Sequence, residues 1–165
     1  NGTLQVGSGA TGTLGSGAVT NNATLKFGRT NSSTVGNAIS GSGTLVQDGV
    51  GGTTILTGSN SYGTTTITNG TLQVGAGGTT GTLGSGAVSN AGTLAINRSN
   101  SYTIENNITG SGGLTKTGNG TLILSGANSY TGVTTLNGQS PSTRSGPERA
   151  RVRSAPQRLT TRPNW

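Results

Sequence analysis

The hexapeptide Asn-Gly-Thr-Leu-Gln-Val stands at residues 1–6 and occurs again at residues 69–74. The same order of motifs follows each time, with Gly-Thr-Leu-Gly-Ser-Gly-Ala-Val at 12–19 and again at 81–88. Self-similarity at a fixed period is the signature of repeat architectures. We therefore divide the chain into copy 1 (residues 1–68), copy 2 (residues 69–137) and a remainder at 138–165.

A shorter period runs inside each copy. Thr-Leu pairs and close relatives of them recur at spacings of 20 to 27 residues. Such a spacing matches one turn of a parallel β-helix, in which short strands of each turn hydrogen-bond to the turns before and after it. We predict an all-β parallel β-helix (β-solenoid) of about six coils, three to each copy. One column of core leucines would mark successive coils: Leu4, Leu25, Leu45, Leu72, Leu94 and Leu114.

Side chains alternate within these segments in the way that a half-buried strand requires. In Thr-Leu-Gln-Val (3–6) and Thr-Leu-Lys-Phe (24–27) the apolar residues are two apart and so face one side. Glycine-rich dipeptides between the segments supply the positive φ angles of tight corners. Tyr62, Tyr102 and Tyr130 each follow an Asn-Ser pair, and we expect them to pack at coil corners. The alternative is an exposed stacking surface for sugars.

The composition favours a solenoid over a globule. Among 165 residues, 27% are hydrophobic, 3% are aromatic and 32 are glycine. A compact globule of this composition would bury too little apolar surface to offset the conformational entropy of ordering the chain. Disorder fits poorly as well, because residues 1–137 contain no proline and few charges. Stacked turns resolve this difficulty, since identical side chains in ladders form a narrow core.

The composition changes abruptly at about residue 138. Of the formal net charge of +7, the part from residue 138 onward carries six arginines against one glutamate, and it holds all four prolines and the only tryptophan. One interpretation is a basic arm that contacts phosphates. However, a one-base shift of frame permits, from about Ser145 onward, a string that resembles residues 6–19, where a third copy is due. We therefore predict that 138–165 is an out-of-frame translation of a third copy, is disordered, and binds no nucleic acid.

The residue types argue against catalysis and metal binding. Histidine and cysteine are absent, which removes the common general base, the cysteine nucleophile and most transition-metal sites. Asp48 and Glu105 are the acids of the two copies and fall at non-equivalent places, with Asp48 in a solvated turn. We expect no catalytic, cofactor or metal site. The less favoured alternative, a polysaccharide-degrading β-helix enzyme, requires clustered acids.

Residues 118–132 carry a family resemblance. They read Gly-Asn-Gly-Thr-Leu-Ile-Leu-Ser-Gly-Ala-Asn-Ser-Tyr-Thr-Gly and resemble the autotransporter-associated β-strand repeat, also called the passenger-associated transport repeat. The resemblance covers about residues 1–137. Its motif positions are Gly120, Thr121, Leu122, Gly126, Asn128, Tyr130 and Gly132.

The resemblance implies the function. Proteins with this repeat are passenger regions of type V secreted proteins of Gram-negative bacteria, right-handed β-helices carried across the outer membrane by a C-terminal barrel. We therefore expect a non-enzymatic stalk, extracellular or at the cell surface, that aids outward translocation and displays distal domains. Its partners would be the rest of the passenger and the barrel, without membrane insertion of this segment. The alternative is an adhesin that contacts host or bacterial surfaces or associates with itself.

Overall fold

The computed structural model describes residues 2–138, and the predicted disorder of the tail lies outside the described residues. Sixteen short strands run through this range, and every recorded pairing between them is parallel. Their bounds are β1 Thr3–Val6, β2 Val19–Thr20, β3 Thr24–Phe27, β4 Ser32–Val35, β5 Ile39–Ser40, β6 Thr44–Gln47, β7 Thr53–Leu56, β8 Thr65–Ile67, β9 Thr71–Val74, β10 Val88–Asn90, β11 Thr93–Ile96, β12 Tyr102–Ile104, β13 Ile108–Thr109, β14 Gly113–Lys116, β15 Leu122–Leu124 and β16 Thr134–Leu136.

The strands form three faces that the chain visits in a fixed order. Face 1 is the sheet β1-β3-β6-β8-β10-β13, and face 2 is the sheet β4-β7-β9-β11-β14-β16. Face 3 carries the two pairs β2-β5 and β12-β15, of which β5 and β12 each come between a face 2 strand and the next face 1 strand. The predicted fold class is confirmed as an all-β parallel β-solenoid. It has about seven turns instead of six, because paired residues on neighbouring turns are 18 to 23 positions apart.

The core lies between the faces and follows the predicted alternation. Strands β3, β7 and β9 all show alternating half-buried and buried side chains, with the leucines, valine and phenylalanine inside. Phe27 and Tyr62 are the bulkiest of the buried side chains, at 1% and 0% exposure. Burying one such aliphatic or aromatic side chain contributes roughly 1.5–3 kcal/mol, so a modest side chain at each turn is enough to stack the next.

The six leucines fall in two columns, which corrects the prediction of a single column. Leu4, Leu25 and Leu45 are aligned on face 1. In contrast, Leu72, Leu94 and Leu114 are aligned on face 2. The step of 27 residues from Leu45 to Leu72 exceeds the 18 to 23 residues of one turn by about one strand, so the chain passes one face further.

As a consequence, the two sequence copies are rotated by one face around the solenoid axis. The first strand of copy 1, β1, is on face 1, whereas its counterpart β9 is on face 2. The same shift relates β4 on face 2 to β12 on face 3. One copy therefore occupies three turns and one additional face, not three turns as predicted, and equivalent residues point in different directions from the axis.

Candidate functional site

The Gly-x-Asn-Ser-Tyr pentapeptide joins consecutive turns through its asparagine. Asn60 is 9% exposed, and its Oδ1 accepts a hydrogen bond from the N–H of Ile39 in the preceding turn at 3.1 Å. Its Nδ2 donates to the carbonyl of Thr82 in the following turn at 2.8 Å, and its N–H donates to the Thr82 hydroxyl at 2.6 Å. One asparagine therefore satisfies backbone groups on both sides, and a side chain that cannot do so would leave buried polar groups without partners.

The glycine and the tyrosine of the pentapeptide are explained by close packing between neighbouring turns. A Cβ atom at Gly58 would lie 2.0 Å from the carbonyl oxygen of Asn37 in the preceding turn, so only glycine fits. Tyr62 is fully buried, and its hydroxyl is 3.2 Å from the Thr65 hydroxyl. Burial raises the pKa of Tyr62 to about 12. This ring packs at a corner, as predicted, and offers no face to a sugar.

The same pentapeptide in copy 2 makes the corresponding contacts to its preceding turn. Asn128 accepts a hydrogen bond from the Ile108 N–H at 2.9 Å, and a Cβ at Gly126 would lie 2.1 Å from the carbonyl oxygen of Asn106. Tyr130 is half-buried, with its hydroxyl 2.8 Å from that of Thr134. This pentapeptide lies in the last turn of the described range, so its outer side has no turn stacked on it among residues 2–138.

The remaining motif positions also act through packing. Leu122 lies in β15, half-buried against the core, and the carbonyl of Thr121 accepts the N–H of Tyr102 at 2.9 Å. A Cβ at Gly120 would lie 1.9 Å from the Asn100 carbonyl oxygen, and one at Gly132 would lie 2.3 Å from that of Gly112.

In each copy an arginine holds a glycine-rich loop in place through hydrogen bonds, a feature that was not predicted from the sequence. Arg29 donates from Nη1 to the carbonyl of Gly12 at 3.0 Å and from Nη2 to that of Ala10 at 2.7 Å. Its Nε donates to Oδ1 of Asn31 at 3.0 Å, which fixes the guanidinium plane. Gly12 has a φ of 102°, a conformation that turns the loop back and that only glycine adopts without strain. We call residues 7–12 and 75–81 the clamped loops.

The second arginine repeats the arrangement with more burial. Arg98 donates to the carbonyls of Gly81 and Thr79 and, at 3.1 Å, to Oδ1 of Asn100. It is 8% exposed, and its guanidinium carbon lies 4.6 Å from the ring centroid of Tyr102. Burial raises the pKa of Tyr102, which also accepts a hydrogen bond from a backbone N–H at 3.1 Å. The signal in the sequence was an Arg-x-Asn tripeptide at equivalent places of both copies (29–31 and 98–100).

The two carboxylates of the described range do not form a common site. Asp48 follows β6 at the corner between face 1 and face 2, 2.5 Å from Nζ of Lys26 and 2.8 Å from Nδ2 of Asn69. The hydrogen bond from Lys26, followed by that from Asn69, lowers the Asp48 pKa below its usual 3.8. Glu105 is exposed after β12, at another corner and more than two turns further on. Asp48 thus lies at a partly exposed corner, as predicted, and it is in addition paired with Lys26 and Asn69.

Residues 2–138 contain no group of three or more histidine, cysteine, aspartate or glutamate side chains close enough to hold a metal ion. Over the same range, no helix has the length and apolar character to cross a membrane.

Both ends of the described solenoid expose core-type side chains. At the first turn, Leu4 is 56% exposed, whereas its counterpart Leu72 in copy 2 is fully buried. At the last turn, Val133 and Leu136 are 77% and 74% exposed. Stacked strands thus continue without a polar cap up to both limits of residues 2–138.

The comparison with protein families decides the nature of the repeat, because two segments match one family at residues 51–74 and 114–138. Both are passenger-associated-transport-repeats. The resemblance predicted from the sequence is confirmed. Each transport repeat contains one Gly-x-Asn-Ser-Tyr pentapeptide with the interturn contacts described above. No curated protein and no solved structure matches the chain. The transport repeat suggests an autotransporter passenger β-helix segment, with a secreted or cell-surface location in a Gram-negative bacterium.

Proposed function

We propose that this chain is a non-enzymatic stalk segment of a bacterial autotransporter passenger, which aids outward translocation by folding turn by turn and carries distal domains away from the cell. The observation that carries the proposal is that the two transport repeats are themselves turns of one parallel solenoid.

The mechanism rests on nearest-neighbour stacking. Each turn makes its backbone hydrogen bonds to the turn before it, such as Thr53 N–H to Asn31 carbonyl and Thr57 N–H to Val35 carbonyl at 3.0 Å. A turn can therefore fold as soon as its neighbour is in place, without the rest of the chain. Folding of emerged turns outside the membrane then opposes backward movement of the chain.

Export of a fusion tests the proposal. The full chain is placed between a signal peptide and the outer-membrane barrel of an autotransporter in a Gram-negative host, with an epitope at its distal end. We expect the epitope to reach the cell surface, as measured by antibody binding to intact cells and by its removal with external protease.

Two matched variants test whether export depends on folding of the chain or only on its passage through the barrel. Leu94→Asp puts a charge at a fully buried position of face 2, whereas Leu4→Asp makes the same substitution at a position that is 56% exposed. We expect Leu94→Asp to reduce the surface signal several-fold and Leu4→Asp to leave it near the parent level. Equal export of all three chains would contradict a folding-driven role.

An adhesin role is the second candidate, and aligned outward threonines favour it. Thr3, Thr24 and Thr44 are in register on face 1, and the Thr44 and Thr64 hydroxyls are 2.8 Å apart. Such a hydroxyl column is a regular surface for a repetitive ligand. A solid-phase assay against glycans, matrix proteins and the chain itself would detect it, and binding that is lost in Thr24→Val and Thr44→Val would move the assignment from stalk to adhesin.

A further inference from the structure

The two copies provide an internal comparison at their pentapeptides, because among residues 2–138 a following turn is stacked on the first pentapeptide and none on the second. In copy 1, β9 pairs with β7, setting Leu72 opposite Thr54 and Val74 opposite Leu56. With β9 stacked on β7, Leu56 is fully buried. The counterpart of β7 in copy 2 is β15, where Leu124 stands in the place of Leu56 and is only half-buried.

The polar groups show the same difference. Asn60 makes its hydrogen bonds to Thr82 in the following turn. The corresponding Nδ2 of Asn128 donates only within its own turn, to the Gly126 carbonyl at 3.0 Å, among the contacts of residues 2–138. Tyr130 is half-buried where Tyr62 is fully buried. Within residues 2–138, every group that the following turn satisfies in copy 1 is thus present in copy 2 without a turn stacked on its outer side.

We propose that β15, residues 126–132 and β16 form a seat for one further turn of the same repeat, beginning with a Thr-Leu-Gln-Val strand on face 3. We call this surface the C-terminal seat.

The register of this turn follows from the rotation between the copies. The Thr-Leu-Gln-Val strand is on face 1 in copy 1 and on face 2 in copy 2, so the next one falls on face 3, which is where β15 lies. By analogy with β7 and β9, its leucine would be set opposite Leu122 and its valine opposite Leu124. Its threonine equivalent to Thr82 would then meet the Nδ2 of Asn128.

The sequence supports this occupant over an unrelated partner. Asn137-Gly138 repeats the Asn-Gly pair that precedes Thr-Leu-Gln-Val at 1–2 and at 69–70, and Thr-Leu-Ile-Leu at 119–120. It comes directly after β16, much as 69–70 comes one residue after β8. The seat and the Asn-Gly pair that would lead into such a turn are therefore contiguous, and the interface would continue one that the solenoid already contains.

Hydrogen exchange on an extended chain tests the proposal. A second copy of residues 71–100, which includes the arginine and asparagine that pin a clamped loop, is inserted between Gly138 and Gln139 of the full chain. We expect the amides of residues 122–136 to exchange about ten-fold more slowly than in the parent, because open edge strands exchange by local fraying. The matched control carries aspartates at the inserted counterparts of Leu72 and Val74, and should give no such protection.

A second measurement probes the asparagine contact. Asn128→Ala removes the hydrogen bond from the Ile108 N–H in both chains, but only in the extended chain does it also remove a bond from Nδ2 to the following turn. We therefore expect it to speed the exchange of residues 122–136 in both chains, and by several-fold more in the extended chain than in the parent.

Equal protection by both inserts, or by neither, would overturn the proposal. Protection of the parent chain that rises with protein concentration would also overturn it, because the occupant would then be a second molecule. The assays use purified protein without export machinery, so their failure is distinct from a failure of the proposed function.

Discussion

Replacing Arg98 by methionine tests whether the clamped loop depends on its guanidinium. Methionine keeps an apolar stem of comparable length, so the substitution removes the charge and its hydrogen bonds with little loss of packing. The lost contacts are those to the carbonyls of Gly81 and Thr79, the bond to Asn100, and the stacking on Tyr102.

The structure sets the magnitude and provides an internal control. Hydrogen bonds to a charged group contribute about 1.5–3 kcal/mol each, and a cation–π contact about 0.5–2 kcal/mol, but the buried guanidinium also carries a desolvation cost that the substitution removes. We therefore expect Arg98→Met to lower the free energy of unfolding by about 2–4 kcal/mol. Among residues 2–138, Arg29 is half-buried and its partners are loop carbonyls and Asn31, so Arg29→Met should cost about 1 kcal/mol.

Urea denaturation followed by circular dichroism measures both costs, and hydrogen exchange of residues 75–81 reports the loop directly. Arg98→Lys should recover little, because one ammonium cannot span both carbonyls and the asparagine. Equal losses for Arg98→Met and Arg29→Met, or full stability in Arg98→Lys, would refute the clamp.

Three further outcomes follow from burial and charge. Leu72→Ala should cost about 2–5 kcal/mol and Leu4→Ala less than about 1 kcal/mol in urea denaturation, although both occupy the same place in the repeat, because only Leu72 is fully buried. Equal costs would contradict the difference in burial between the first turn and an interior turn. The pKa of Tyr62 is raised to about 12 in the folded state from 10.0, so its contribution of about 2–3 kcal/mol is complete below pH 10 and is lost as the pH rises towards 12. Tyr62→Phe should flatten alkaline unfolding in that range, and an unchanged pH profile would count against the burial argument. Because the pKa of Asp48 is lowered in the folded state, its pair with Lys26 stabilises the fold above about pH 4, and this stabilisation is lost as the pH falls through the folded pKa. For a pair so open to solvent the loss is at most about 1 kcal/mol. A titration of stability with acid should show this loss in the parent and not in Asp48→Asn.

Much of the fold could be read from the sequence because its local signals agree. The alternation in residues 3–6 and 24–27, the glycine-rich corners and the period of about two dozen residues all require short parallel strands in stacked turns. The alternating segments 3–6 and 24–27 are the strands β1 and β3, whereas β5 and β13 were not predicted, because strands of two residues carry no alternation.

Some features of the candidate site could likewise be predicted from the sequence, and others became visible only in the structure. The pentapeptide residues were found because they recur in sequence, but the roles of Asn60 and Asn128 became visible only with the turns on either side of them. The clamp by Arg98 was missed because its acceptors are backbone carbonyls 17 and 19 residues away, which leave no trace in residue type.

The sequence by itself determined the β-solenoid class, the inward and outward side chains within each strand, and the presence of two copies of one repeat. Only the tertiary structure showed that successive sequence copies are rotated by one face around the solenoid axis, and so which leucines share a column. The physical reason is that pairing of buried side chains fixes register between neighbouring turns, while corners and loops of variable length let a turn take 18 to 23 residues. Small differences in turn length add up over three turns to a whole face, and no local pattern records that sum.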